Sequence, residues 1–169
     1  TLIPGLGDAV LDATTPMLLE RYPELTIVCN EKARGMLIDH LHVDDARFHV
    51  VADGEEVSLG DKTLKFLFTP WVHWPETMST WLEEDEILFS CDFFGSHYAT
   101  SDVFADKHEV YDGAKRYYAE IMMPFGAQVM KNIEKVTHYP IAFIAPSHGP
   151  VYDDPGFIVE AYRDWAGGE

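Results

Sequence analysis

Two histidines and one aspartate follow apolar, strand-like runs at three separate places in the chain. His73 follows the run at 63–69, Asp92 the run at 87–91, and His148 the run at 141–145. Strands in α/β proteins bury their apolar side chains and place polar ligands in loops at one edge of the sheet. Imidazole and carboxylate groups suit zinc or non-haem iron. These three residues are therefore predicted to form a metal site.

The local sequence favours this interpretation most at Asp92. A carboxylate directly after an interior strand is costly unless it is paired or bound to a metal. His148 lies in a Pro-Ser-His-Gly-Pro stretch, where Gly149 permits an unusual backbone conformation. A lone histidine in a loop is more often a hydrogen-bonded structural residue, but three such positions at strand ends favour a metal. His97, five residues after Asp92, is a weaker candidate for lining the same pocket.

The elements that must position these residues follow from hydrophobic periodicity and turn signals. The pattern predicts strands at 25–29, 48–52, 57–59, 63–69, 78–82, 87–91 and 141–145. It predicts helices at 16–21, 31–40, 110–123, 125–136 and 155–165, with Asn30 as an N-cap. The central strands should form a meander, and helices should cover the sheet, so the fold class is an α/β sandwich. No Gly-rich nucleotide-binding motif follows a strand, which argues against a dinucleotide or P-loop site.

Composition sets limits on the partners. The 169 residues suit one domain, and the formal net charge of -17 disfavours nucleic acid and anionic membranes. No run approaches the roughly 18 to 20 apolar residues of a membrane span, and no basic segment suggests a signal peptide. Cys29 and Cys91 end apolar runs, which is typical of reduced core residues in a cytoplasmic protein. Cys91 as a metal ligand is the less favoured alternative.

Longer stretches around the three residues resemble a known family. They are His-Trp-Pro-Glu-Thr-Met at 73–78, Phe-Ser-Cys-Asp-Phe-Phe-Gly at 89–95, Ala-Pro-Ser-His-Gly-Pro at 145–150, and the helical stretch at 117–125. From about 16 to 165, the chain resembles the metallo-β-lactamase-like domain of the flavodiiron proteins, which reduce dioxygen or nitric oxide. The resemblance implies a metallo-β-lactamase-like αββα sandwich. It is expected to be partial, because the chain starts at Thr1 without the family's first strands and is expected to be a fragment or a degenerate paralogue.

The resemblance also implies roles and partners. His73 is similar to a terminal ligand of one iron, Asp92 to the carboxylate that bridges both irons, and His148 to a terminal ligand of the other. The implied reaction reduces dioxygen to water or nitric oxide to nitrous oxide, with electrons from FMN and a donor such as rubredoxin. The resemblance also implies a homodimer. The flavodoxin-like domain that carries FMN in the family is absent from the 169 residues, so this chain alone is not expected to bind FMN.

The amino-terminal segment departs from the family. A His-x-Glu-x-Asp-His motif is expected at 6–11, where the chain has Leu6, Gly7, Asp8, Ala9, Val10 and Leu11. Among these, Asp8 alone could be a ligand, so half of the first coordination shell is expected to be missing. Lost ligands lower metal affinity. Two other functions therefore stay open: a metal-dependent hydrolase of the metallo-β-lactamase superfamily, in which a zinc-bound water attacks, and a non-catalytic subunit with a degenerate site.

Overall fold

The structure, a computed structural model, describes residues 14–168. The helices are α1 (Thr14–Arg21), α2 (Glu31–Leu41), α3 (Lys107–Tyr117), α4 (Gly126–Val136) and α5 (Pro155–Gly167). The strands are β1 (Ile27–Cys29), β2 (Phe48–Val50), β3 (Glu56–Ser58), β4 (Thr63–Phe68), β5 (Met78–Leu82), β6 (Ile87–Cys91) and β7 (Phe143–Pro146). None of the helices between residues 14 and 168 has the length and apolarity needed to cross a membrane.

The strands form two sheets. The larger has the order β3-β4-β5-β6-β7, and its first four strands are antiparallel neighbours, which confirms the predicted meander. The last strand, β7, pairs in parallel with β6, so both strands deliver the chain to the same edge of the sheet. The smaller sheet is the parallel pair β1-β2. Asp92 and His148 thus follow neighbouring parallel strands, and this arrangement places them close together.

Three apolar clusters fix the order of the layers. Helices α3, α4 and α5 pack on one face of the large sheet, where Leu88 and Ile144 are fully buried. Its other face meets the small sheet, with Val28 packed in a cluster with Phe66. Helix α2 covers the far side of the small sheet through Leu37. The four layers are helix, sheet, sheet and helices, as predicted for an αββα sandwich, and burial of these apolar side chains is the main stabilising term.

The start of α2 is tied to the loop that carries His73. The Asn30 side chain accepts a hydrogen bond from the Ala33 backbone N–H at 2.9 Å, which confirms the predicted N-cap. Its amide group also donates to the Glu76 carbonyl oxygen at 2.7 Å. One buried side chain therefore both begins a helix and anchors the loop after His73.

The predicted helix at 110–123 is helical throughout, but its type changes before Pro124, where the sequence predicts an end or a kink. Helix α3 ends at Tyr117, a π-helical turn covers Tyr118–Met122, and a 3₁₀ turn covers Met123–Phe125. Pro124 explains the change, because it has no N–H to donate to the preceding turn and its ring crowds that turn. The wider turn keeps Tyr118 in the core, where it is 4% exposed.

Both cysteines are buried and form no disulfide among residues 14–168, as the sequence predicts. Burial raises the pKa of Cys29 to about 12, and the negative charge of Glu31 adds to the rise. Because the thiolate is the reactive form, Cys29 is expected to resist iodoacetamide at pH 8 in the folded protein and to react fully in denaturant. Peptide mapping by mass spectrometry measures this. Labelling of folded Cys29 at the rate of a free thiol would contradict the burial.

Candidate metal centre

Asp92 begins a tight turn directly after β6. The Ser90 hydroxyl donates to the Phe93 carbonyl oxygen at 2.6 Å, and the Gly95 N–H donates to the Asp92 carbonyl oxygen at 3.0 Å. Cys91 has a positive φ of 58°, so the strand does not continue regularly into the turn. These bonds hold the Asp92 carboxyl group at the edge of the sheet, where the residue is 1% exposed.

His73 lies in the loop between β4 and β5. The Trp71 N–H donates to the Trp74 carbonyl oxygen at 2.7 Å, which closes a turn around His73. Helix α4 supports the loop, since the Asn132 side chain donates to the Pro70 carbonyl oxygen at 2.9 Å. The backbone of the loop is therefore fixed by one bond within the loop and one bond to α4, and this fixed backbone carries His73.

His148 is held by contacts with the turn that carries Asp92. The Ser147 N–H donates to the Cys91 carbonyl oxygen at 2.8 Å, and the Ser96 N–H donates to the His148 carbonyl oxygen at 3.0 Å. Gly149 has a φ of 89°, and a Cβ added there would overlap the Ser96 hydroxyl. A glycine is required at this position because of both the backbone conformation and the close approach.

The two imidazoles meet opposite oxygens of one carboxylate. His73 Nε2 lies 3.3 Å from Asp92 Oδ2, and His148 Nε2 lies 3.4 Å from Asp92 Oδ1. Neither Asp92 oxygen accepts a hydrogen bond from a described residue. Two donor atoms on one metal, with bonds of about 2.1 Å, are roughly 3.0 to 3.4 Å apart. Each imidazole–oxygen pair thus has the spacing of two ligands of one ion, and Asp92 fits a bridging role.

The described part of the chain supplies an incomplete ligand set. No three histidine, cysteine, aspartate or glutamate side chains meet at one point within residues 14–168. The candidate positions Leu6, Asp8, Val10 and Leu11 lie outside the described residues, so the expected loss of ligands there stays a prediction. The structure brings His73 and His148 to the two oxygens of Asp92, and residues 14–168 add no fourth ligand.

Glu76 is a second buried acid beside this site, and the sequence prediction did not select it. It lies three residues after His73, is 1% exposed, and neither carboxylate oxygen accepts a hydrogen bond from a described residue. Burial raises the pKa of Glu76. The nearby backbone N–H of Glu76 and the positive charges of Lys32 and His73 lower this pKa, whereas the negative charge of Asp92 adds to the rise. An acid within the His-Trp-Pro-Glu-Thr-Met stretch was the available signal, but nothing in the stretch shows its burial.

His97 lies one aromatic ring away from the site. Its ring packs edge-on against Tyr117 with centroids 4.8 Å apart, and the Tyr117 ring lies 5.9 Å from that of His148. Its Nδ1 is 3.3 Å from a Glu120 carboxylate oxygen, and both side chains are partly exposed. His97 therefore borders the region near His148.

Apolar rings lie behind the Asp92 turn. Phe93 and Phe94 stack with centroids 3.9 Å apart, and Tyr162 packs against both. All three are fully buried. A charge next to this cluster has little access to water on that side, which strengthens its interaction with a cation.

A family model described as ODP family beta lactamase matches residues 10–149, which include the three predicted ligands. The chain belongs to this family, the metallo-β-lactamase-like domain of flavodiiron proteins. The resemblance predicted from the short sequence stretches is thereby confirmed.

Relatives of this flavodiiron domain support the assignment. The chain is 38% identical over 160 residues to a nitric oxide reductase of Moorella thermoacetica, covering 91% of this chain and 40% of that protein. It is 39% identical over 156 residues to the anaerobic nitric oxide reductase flavorubredoxin of Klebsiella pneumoniae, covering 88% of this chain and 32% of that protein. The flavodiiron chain thus spans about two-fifths or less of the length of these relatives.

Solved structures show the same fold. Rubredoxin oxygen:oxidoreductase from Desulfovibrio gigas superposes with a TM-score of 0.86 at 31% identity, covering 92% of this chain and 41% of that one. A metal-soaked flavodiiron core from Synechocystis sp. PCC 6803 gives a TM-score of 0.85 at 28% identity, covering 91% and 40%. The four-layer arrangement of the flavodiiron chain therefore matches flavodiiron structures across nearly its whole length.

Proposed function

We propose that this chain is a single metallo-β-lactamase-like domain of a flavodiiron oxidoreductase, which reduces dioxygen to water or nitric oxide to nitrous oxide at a non-haem diiron site. One observation carries the proposal: the Asp92 carboxylate is buried, takes no hydrogen bond from a described residue, and has an imidazole at each oxygen. The names of the relatives, which are nitric oxide and oxygen reductases, support the substrate class.

His73, Asp92 and His148 have different proposed roles in binding metal. His73 and His148 would each bind one iron through Nε2, and Asp92 would bridge the two and offset their mutual repulsion. When bound, the irons would supply open coordination positions and electrons for dioxygen or nitric oxide. The hydrogen-bonded turn after β6 holds Asp92 in place. The loop that carries His73 is held by the hydrogen bond from Asn132 of α4 to the Pro70 carbonyl oxygen. The ligands are therefore positioned before a metal binds.

The aromatic cluster behind Asp92 has a separate role. Phe93, Phe94 and Tyr162 exclude water from the sheet side of the carboxylate. A low local dielectric strengthens the attraction between the carboxylate and a bound cation. The cluster therefore favours retention of metal without touching the substrate.

Electron supply is assigned to partners. We infer that FMN, carried by a flavodoxin-like domain rather than by these 169 residues, delivers electrons, and that a rubredoxin-type protein reduces the flavin. A homodimer is the arrangement we propose for bringing flavin and iron together. The relatives named flavorubredoxin and rubredoxin oxygen:oxidoreductase support this kind of donor.

The test is gas consumption by the iron-loaded chain. The protein is loaded anaerobically with ferrous iron, supplied with chemically reduced FMN, and exposed to dioxygen or nitric oxide. His73→Ala is expected to lower the rate at least about 100-fold, because it removes a metal ligand. The matched control is His108→Ala, on the exposed first turn of α3, which should keep the wild-type rate.

Two results would oppose the proposal. If His73→Ala consumes gas as fast as wild type, the site does not carry the activity. If the zinc-loaded chain hydrolyses thioesters or β-lactams while the iron-loaded chain consumes neither gas, the protein is a hydrolase of the superfamily.

A further inference from the structure

The proposed mechanism leaves one buried acid unused. Glu76 is 1% exposed, and neither of its carboxylate oxygens accepts a hydrogen bond from a described residue. Natural proteins rarely bury an acid in this way, because an ionised carboxylate without partners loses its hydration and gains nothing in return. Such a group needs a reason for its position.

Hydrogen bonds hold the backbone at Glu76. Its carbonyl oxygen accepts the Asn30 side-chain amide at 2.7 Å, and the next residue, Thr77, donates its hydroxyl to the Trp74 carbonyl oxygen at 2.8 Å. These bonds lie in the loop that also carries His73. The same loop therefore carries one proposed ligand and one buried carboxylate.

The charges around Glu76 point to a missing cation. The charge of Asp92 acts on Glu76 and is opposed there by the positive charges of Lys32 and His73, and Asp92 is a second carboxylate without a hydrogen bond from the described residues. Two buried acids whose oxygens accept no hydrogen bond from a described residue repel each other as well as losing hydration. A divalent metal beside Asp92 would reverse both penalties.

We propose that Glu76 is a further acidic residue of the metal centre, whose buried negative charge is compensated only when a metal ion binds beside Asp92. It is a positioning residue, because it acts through the charge it presents to the ligands and the metal. The inference rests on the proposed metal site, and it deepens it by adding a fourth functional side chain, on the same loop as His73.

The test is a titration of the metal-free protein with cobalt(II), followed by visible absorption, together with a thermal unfolding curve without metal. Glu76→Gln, which keeps the shape and removes the charge, is expected to weaken cobalt binding about 10- to 100-fold. Its metal-free melting temperature should equal or exceed that of wild type, because an unpaired charge has been removed. Glu76→Asp restores the charge and should bind more tightly than Glu76→Gln.

The control is Glu83→Gln, at an exposed position of the turn between β5 and β6, which should change neither measurement. Wild-type affinity in Glu76→Gln would overturn the inference, and so would equal weakening in Glu76→Gln and Glu76→Asp. Unfolding of metal-free Glu76→Gln would overturn it too, since the carboxylate would then have a structural partner.

The same titration separates this inference from the proposed function. If wild-type protein binds no cobalt, the metal site itself fails. If wild type binds cobalt and all Glu76 variants bind equally well, only the role of Glu76 fails.

Discussion

Asp92→Asn is expected to abolish iron binding while leaving the protein folded. The asparagine has nearly the same shape but carries no charge, so it cannot bridge two cations. No described residue hydrogen-bonds to the Asp92 oxygens, and their partners are the two imidazoles at 3.3 and 3.4 Å, so the stability of the metal-free protein should change by no more than about 1 kcal/mol. We expect metal affinity to fall by more than about 100-fold. Elemental analysis and melting curves with and without iron measure both effects.

The Asp92→Asn prediction has a control variant and two outcomes that would contradict it. Asp39→Asn, on the exposed face of α2, removes the same charge from the protein surface and should leave iron content and melting temperature unchanged. Equal iron content in Asp92→Asn and wild type would contradict the role of Asp92. A large drop in metal-free stability would show that the carboxylate stabilises the fold by itself.

Gly149→Ala is expected to be the most destabilising single substitution near the site. Gly149 has a φ of 89°, and its missing Cβ leaves room for the Ser96 hydroxyl. An alanine there would strain the backbone and push Ser96 away, and the Ser96 N–H would lose its bond to the His148 carbonyl oxygen. The two effects together should cost about 3 to 5 kcal/mol of unfolding free energy. Urea unfolding measures the loss, and a cobalt titration should show weaker binding through His148.

Gly54→Ala separates backbone strain from crowding. Gly54 has a similar φ of 80°, but nothing lies within 4 Å of an added Cβ. Gly54→Ala should therefore lower the unfolding free energy only through backbone strain, by about 1 to 2 kcal/mol. The double variant Gly149→Ala with Ser96→Ala should recover part of the difference, as a double-mutant cycle would show. Equal losses for Gly149→Ala and Gly54→Ala would mean that the Ser96 contact has no energetic role.

Much of the fold follows from local patterns in the sequence. Asn30 begins α2 because a side-chain oxygen before a helical pattern caps the first free N–H groups, and the structure shows that bond. The hairpin of β5 and β6 follows from two strand-like runs separated by an acidic turn. His73, Asp92 and His148 could be selected because each follows an apolar strand, and the structure brings their side chains together.

The remaining features depend on contacts between distant parts of the chain. The parallel pairing of β7 with β6 joins segments separated by α3 and α4, and no local pattern encodes it. The π turn after Tyr117 arises where Pro124 disturbs a helix whose periodicity continues unchanged. The burial of Glu76 was missed because a glutamate in a loop has the same sequence signature whether it faces solvent or a metal site.

The iron content of the purified chain, measured after anaerobic loading and removal of free metal, tests the central claim most directly. The account predicts about two irons per chain, lost in Asp92→Asn, because one carboxylate with an imidazole at each oxygen fits two ions. One iron or none would contradict a diiron site and would show that the chain keeps the flavodiiron fold without its metal chemistry.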